Sequence, residues 1–137
     1  MTTIYILDIL GMCNVLYLIW QHYQLNTHNK PMTCPLRGSC DAVTASKYNT
    51  IFGIQNEYLG TLFYITVFFC TYLLGNPTYI HLSESILLFL RITVAVATLF
   101  SIYLLYVQFG ILKKVCTWCI ISSILNIALC IAVFLLL

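Results

Sequence analysis

Charge is what this sequence has least of. Only 7% of its 137 residues are Asp, Glu, Lys or Arg, against 61% hydrophobic residues. A soluble domain of this length needs several times as many charged side chains to cover its surface, whereas a surface facing lipid needs almost none. A soluble globule is therefore excluded, and the bilayer becomes the solvent. The six basic residues are scattered and the net charge is only +2, so nothing points to a nucleic-acid partner. Internal repeats and low-complexity tracts are absent. The first apolar run has no basic segment before it and no small-x-small site after it, so it reads as a permanent span rather than a secretory signal.

What is there is four apolar stretches, 4–20, 58–74, 86–111 and 118–137. Each is close to or above the roughly 17 residues that cross a hydrocarbon core. The predicted fold is an all-α integral membrane domain, a four-transmembrane-helix bundle spanning 1–137. The third stretch is longer than the hydrocarbon is thick, so it is expected to tilt or protrude, with Arg91 snorkelling to the headgroups. Asp8, near the start of the first span, is expected to reach the interface, and His22, His28 and His81 to be solvated or headgroup-facing. The aromatic residues at span ends read as an interface belt.

The long connection, 21–57, holds most of the polar residues. Within it, 41–52 reads as a short amphipathic lid helix across the bundle mouth. Asp41 complements its N-terminal dipole, and Val43, Tyr48, Ile51 and Phe52 form its apolar side.

Of seven cysteines, Cys13, Cys70 and Cys130 are isolated in apolar spans and read as packing residues, while four group. Two crossings separate the loop after the first span from the loop before the fourth, so both lie on one face of the membrane. Cys34 and Cys40 are thereby brought to the face of Cys116 and Cys119. Cys116-Thr117-Trp118-Cys119 is a CxxC at the start of the last span, where residues three apart share a helix face and the helix N-terminus favours thiolate. Cys34 and Cys40 flank a segment containing Pro35, Arg37 and Gly38, and Arg37 favours thiolate there. Two such pairs suggest a thiol-disulfide relay, one pair meeting a partner protein and the other a membrane quinone that accepts two electrons. Two static disulfides or a four-thiolate zinc site are the structural alternatives; the relay itself calls for no metal.

The pattern Cys34-x5-Cys40-Asp41-x-Val43-x-x-Ser46-x-Tyr48, then Gly53-Ile54, Leu59-Gly60, Phe63-Tyr64 and Cys116-x-x-Cys119 resembles the vitamin K epoxide reductase family of membrane thiol oxidoreductases, particularly bacterial members. The resemblance covers essentially the whole chain. The functionally similar DsbB family carries its CxxC in the first loop, which argues against that assignment. The resemblance implies a four-helix bundle around a quinone of the ubiquinone, menaquinone or vitamin K type. It implies that Cys34 is attacked by a thioredoxin-like or DsbA-like partner, that Cys40 passes electrons to Cys116, and that Cys119 lies beside the quinone. Ser46 matches a lid-helix hydroxyl near the active cysteines, and Asn56 falls where vertebrate members bond a quinone carbonyl. Ser123 stands where those members place a tyrosine.

Many bacterial relatives continue into a fused thioredoxin-like domain, which is not expected here, so the partner is expected in trans. The C-x5-C loop suggests flow from protein thiols into quinone in support of disulfide formation, with reduction of vitamin K quinone or epoxide as the alternative. Lys30, Arg37, Lys47, Lys113 and Lys114 lie on the cysteine face and only Arg91 toward the other, which by the positive-inside rule puts the cysteines in the cytoplasm. Disulfide chemistry puts them outside. The expectation follows the chemistry: a multi-pass protein of a bacterial inner membrane, its active face toward the periplasm or exterior.

Overall fold

The structure, a computed structural model, describes residues 1–28, 50–51, 54–113 and 116–137. Helix α1 covers Thr2–His28, and a pair of two-residue strands, β1 (Thr50–Ile51) and β2 (Ile54–Gln55), leads into α2 (Asn56–Leu74). A 3-10 segment, Pro77–Leu82, opens α3 (Ser83–Tyr106), which widens into a π-helical turn at Val107–Leu112. The last helix, α4, is Thr117–Leu136. Four helical stretches are long and apolar enough to cross a membrane, Thr2–Gln24, Asn56–Leu74, Pro77–Ile111 and Thr117–Leu136. α1 packs on α2 and α4, and α3 packs on the same two, so the helices close a ring.

The seam of α1 shows why the ring closes. Ile4, Asp8, Gly11, Val15, Leu18 and His22 are buried and recur at alternating four- and three-residue steps, the spacing that keeps one stripe of a helix on its neighbours. Residues between them, such as Ile6, Leu10, Leu16 and Trp20, are exposed, which costs nothing where the surroundings are lipid. Gly11 admits α2, because a Cβ built there would overlap the ring of Tyr64. At Gly60 a Cβ would come within 3.3 Å of Val15 Cγ2. Small residues bring α1 and α2 close at both points. Tyr64 then donates from its hydroxyl to Asn126 Oδ1 of α4 at 2.6 Å, and Asn126 Nδ2 donates to Ser101 Oγ of α3 at 2.8 Å.

Several expectations are corrected here. The first helix runs to His28 and not to Trp20, because no proline occurs before Pro31 to stop it; the connection therefore starts later than residue 21. It also ends earlier than residue 57, since Asn56 and Glu57 form the first turn of α2, where an acidic side chain complements the helix dipole. Asp8 does not reach the interface. It is 2% exposed, turned inward by its place on the α1 seam, and its Oδ1 makes no hydrogen bond among the described residues. His22, on the same seam, is buried too, whereas His28 and His81 are exposed. The end of the expected lid helix is strand instead: β1 pairs antiparallel with β2 in the register Thr50↔Gln55 and Ile51↔Ile54. Thr50, Ile51 and Ile54 are β-branched, which favours extended backbone over helix. Residues 41–49 and 52 of that helix lie outside the described residues. Arg91 is half-buried, with its guanidinium carbon 5.6 Å from the ring centroid of Phe134.

Candidate active site: a dithiol at the polar end of a cavity

Cys116 is the N-cap of α4. Its backbone is extended (φ −106°, ψ 112°), and its sulfur accepts the Cys119 N–H at 3.4 Å, so a thiol does what a Ser or Asp hydroxyl or carboxylate usually does at this position. The carbonyl of Cys116 accepts the Ile120 N–H at 3.0 Å, which commits the chain to helix. Its own N–H donates to Gln108 Oε1 at 2.9 Å. Gln108 comes from the π-helical turn, which ends at Lys113 in the left-handed conformation (φ 52°). A π turn carries one residue more than an α turn and re-aims side chains, a device common at functional sites. From α1, Asn14 Nδ2 donates to the Trp118 carbonyl at 3.1 Å and also to Ser122 Oγ, fixing the first turn of α4 from the other side.

The pair is unbridged, and Cys116 is fully buried. The hydrogen bond from the Cys119 thiol holds the Cys116 thiol below its ordinary range. Burial opposes this, the backbone N–H groups of Cys119 and Trp118 reinforce it, and the charge of Glu57 opposes it. The two thiols thus differ in kind: Cys116 is the better thiolate, and Cys119 its proton-sharing neighbour.

Cys119 lines a cavity of about 590 Å³ bordered by all four helices, and Cys116, fully buried next to Cys119, stands back from its lining. The size falls in the range of small-molecule pockets, ~300–1,000 Å³. One end is polar, with Asn56, Glu57, Cys119, Ser122 and Ser123; the α3 side presents Phe89, Ile92, Val96 and Phe100. A polar end beside a thiol and a long apolar wall suit a small molecule with a polar head and an apolar tail, and Asn56 and Cys119 both line the polar end. Ser123 lines the same cavity, but its hydroxyl donates to the Cys119 carbonyl at 3.0 Å, so its proton is committed to the helix and only its oxygen is left to accept. Of the residues marked out by sequence, Cys116, Cys119, Asn56 and Ser123 are brought together; Cys34, Cys40 and Ser46 lie outside the described residues. Cys70 belongs to the core, Cys130 packs against it, and Cys13 is exposed.

Sequence reasoning missed Gln108, Asn14, the Tyr64–Asn126–Ser101 chain and the contact of His22 with Glu57. A signal existed for most of them: each is a polar side chain inside an apolar stretch, and such residues in a bilayer face the bundle interior.

Comparison with curated proteins gives no match. The model of the vitamin K epoxide reductase family matches residues 2–134, nearly the whole length, and the match agrees with a buried dithiol opening on a cavity within a four-helix membrane bundle. The chain belongs to the vitamin K epoxide reductase family and has a membrane redox function.

Proposed function

We propose that the protein is a quinone-dependent thiol-disulfide oxidoreductase that draws electrons from a thioredoxin-like or DsbA-like partner and so supports protein disulfide formation. The observation that carries this is the placement of Cys119 on the wall of the cavity with Cys116 directly behind it at the α4 N-terminus. In this reading Cys34 and Cys40 exchange with the partner, which leaves oxidised as they become dithiol. Cys40 thiolate then attacks the Cys116–Cys119 disulfide at Cys116, and Cys34 releases the mixed disulfide by closing on Cys40, leaving Cys116 and Cys119 reduced.

When bound, a quinone supplies a two-electron, two-proton acceptor. Asn56 would hold its ring end, Ser46 would stand near the cysteines, the oxygen of Ser123 would accept a hydrogen bond, and the α3 side chains would enclose the tail and exclude water. The membrane proposed is a bacterial inner membrane, with the cysteine face toward the periplasm or exterior, because disulfides persist there.

The test mixes the purified protein with a reduced thioredoxin-like partner and ubiquinone or menaquinone and follows loss of quinone absorbance. Cys119→Ala is expected to abolish turnover, and Cys34→Ala to abolish it with the partner while sparing it with a small dithiol. Quinone reduction that survives Cys119→Ala unchanged overturns the mechanism.

A further inference from the structure

A cluster of ionisable side chains outside the cysteines sits at the polar end of the same cavity. Glu57, in the first turn of α2, lines the cavity, and its Oε1 stands 3.4 Å from Nδ1 of His22 on α1. The two side chains are 5% and 8% exposed respectively. An acid and an imidazole buried at the edge of a bilayer bundle carry a desolvation penalty that a packing role does not require, since Gln or Leu would fill the same space. Glu57 also interacts electrostatically with both Cys116 and Cys119. Among the described residues, the groups facing it include His22 from α1 and the two thiols at the start of α4, while the α3 residues of the cavity wall are all neutral.

We propose that Glu57, positioned by His22, is the proton relay between the dithiol and the cavity. The inference rests on the quinone reading above and adds to it the path of one proton. Oxidising the pair breaks two S–H bonds, forms the Cys116–Cys119 S–S bond and releases two electrons and two protons; reducing a quinone to the hydroquinone consumes both. Cys119 faces the cavity and can lose its proton there directly. Cys116 sits behind it, and its proton needs a carrier. Glu57 takes that proton as Cys116 becomes thiolate, holds it on the carboxyl, and gives it up at the cavity wall, ending ionised as it began. His22, in contact with the carboxyl, orients it and is a positioning residue.

Because Glu57→Gln keeps the shape and the hydrogen-bonding capacity of the side chain but cannot carry a proton, it separates relay from clamp. Two readouts are taken on the full-length protein in detergent. In the reduced, quinone-free state, Cys116 thiolate is titrated by its ultraviolet absorbance; removing the neighbouring negative charge is expected to move the midpoint to lower pH, and Glu57→Asp to move it back. With a small dithiol and quinone, Glu57→Gln is expected to lower kcat about 100-fold, the lower end of what general acid–base groups contribute, with KM little changed and partial rescue by Glu57→Asp. His22→Gln, which also serves if Glu57→Gln does not fold, is expected to shift the pH profile of kcat with a smaller loss. An unshifted thiolate midpoint together with a kcat within twofold of the unsubstituted protein overturns the relay. Cys119→Ala run alongside tells the two failures apart: if it abolishes turnover while Glu57→Gln does not, only the relay falls, and if neither affects turnover, the quinone reading falls with it.

Discussion

Gln108 holds the backbone of Cys116: the amide oxygen of a fully buried side chain accepts the N–H of a fully buried thiol residue eight positions later, at 2.9 Å. This bond spans the break between the π-helical turn and α4, so it sets where the CxxC begins relative to the third span. Inside a bilayer bundle water is not at hand to replace it.

Replacing Gln108 by Leu conserves volume and leaves the Cys116 N–H buried without its acceptor. The expected cost is about 1–3 kcal/mol, the usual penalty of orphaning a buried donor. The loosened α4 N-terminus should also slow thiol exchange at Cys116. Reversible unfolding in detergent–SDS mixtures reads the first effect and single-turnover exchange with a small disulfide the second. A Gln108→Leu protein with unchanged stability and exchange rate would show that the bond is incidental.

The hydrogen bond between the two thiols has a pH consequence. Cys116 is held below the ordinary thiol range chiefly by Cys119, so removing that donor with Cys119→Ala raises its titration midpoint even though the backbone N–H bonds remain. The sign for stability follows. A depressed thiol contributes stability to the reduced protein that is complete above the ordinary thiol range and is lost as pH falls through the depressed value. Reduced protein should therefore lose stability on acidification through that window, and Cys119→Ala should move the window upward. Thiolate absorbance and unfolding measured across pH check both, and a midpoint that falls or stays put in Cys119→Ala would contradict the assignment.

Composition alone made the four spans legible, because a stretch such as 118–137 has no other solvent than lipid. Parity of crossings then led to the expectation that the cysteine pairs share one face, of which the described residues include only Cys116 and Cys119. What stayed hidden depended on rotation about the helix axis and on partners distant in sequence. Asp8 and His22 were read as interfacial because they lie near span ends; their inward direction follows only from the seam shared with Ile4, Val15 and Leu18. Tyr64 and Asn126 are 62 residues apart, and nothing local announces their bond. At the end of the expected lid helix, Thr50 and Ile51 pair as β1 with β2 because both prefer extended backbone.

Gly11 and Tyr64 offer a test of how tightly the cavity is built. A methyl group at Gly11 would meet the Tyr64 ring, and this ring is held at its far end by Asn126, so it cannot yield without breaking that bond. Gly11→Ala is expected to destabilise by about 1–3 kcal/mol through overpacking. Tyr64→Phe, which deletes only the hydroxyl, should cost less, about 0.6 kcal/mol as for an average interhelical bond in a membrane. Tyr64 and Asn126 line the cavity and Gly11 does not, so Gly11→Ala, by displacing the Tyr64 ring, should also raise KM for quinone. The order of the two stability losses decides: if Tyr64→Phe is the more damaging, the polar chain and not the close helix approach holds this wall.

Orientation is tested at the other end of α4. Four crossings put Leu137 on the face opposite Cys116, whichever way the bundle sits. The order of the spans leads to the expectation that five of the six basic residues lie on the cysteine side, the exposed Lys113 among them, a distribution that would ordinarily draw that side into the cytoplasm. The proposed chemistry runs the other way, because a relay that oxidises partner thiols works against the reducing pool of the cytoplasm and with the oxidising conditions outside it. Alkaline phosphatase fused after Leu137 is active only when exported, so under the proposed orientation it should be inactive, while a cytoplasmic fluorescent reporter at the same position should be bright. Active phosphatase would place the cysteines in the cytoplasm and turn the proposed electron flow from disulfide formation toward reduction of a small-molecule quinone or epoxide.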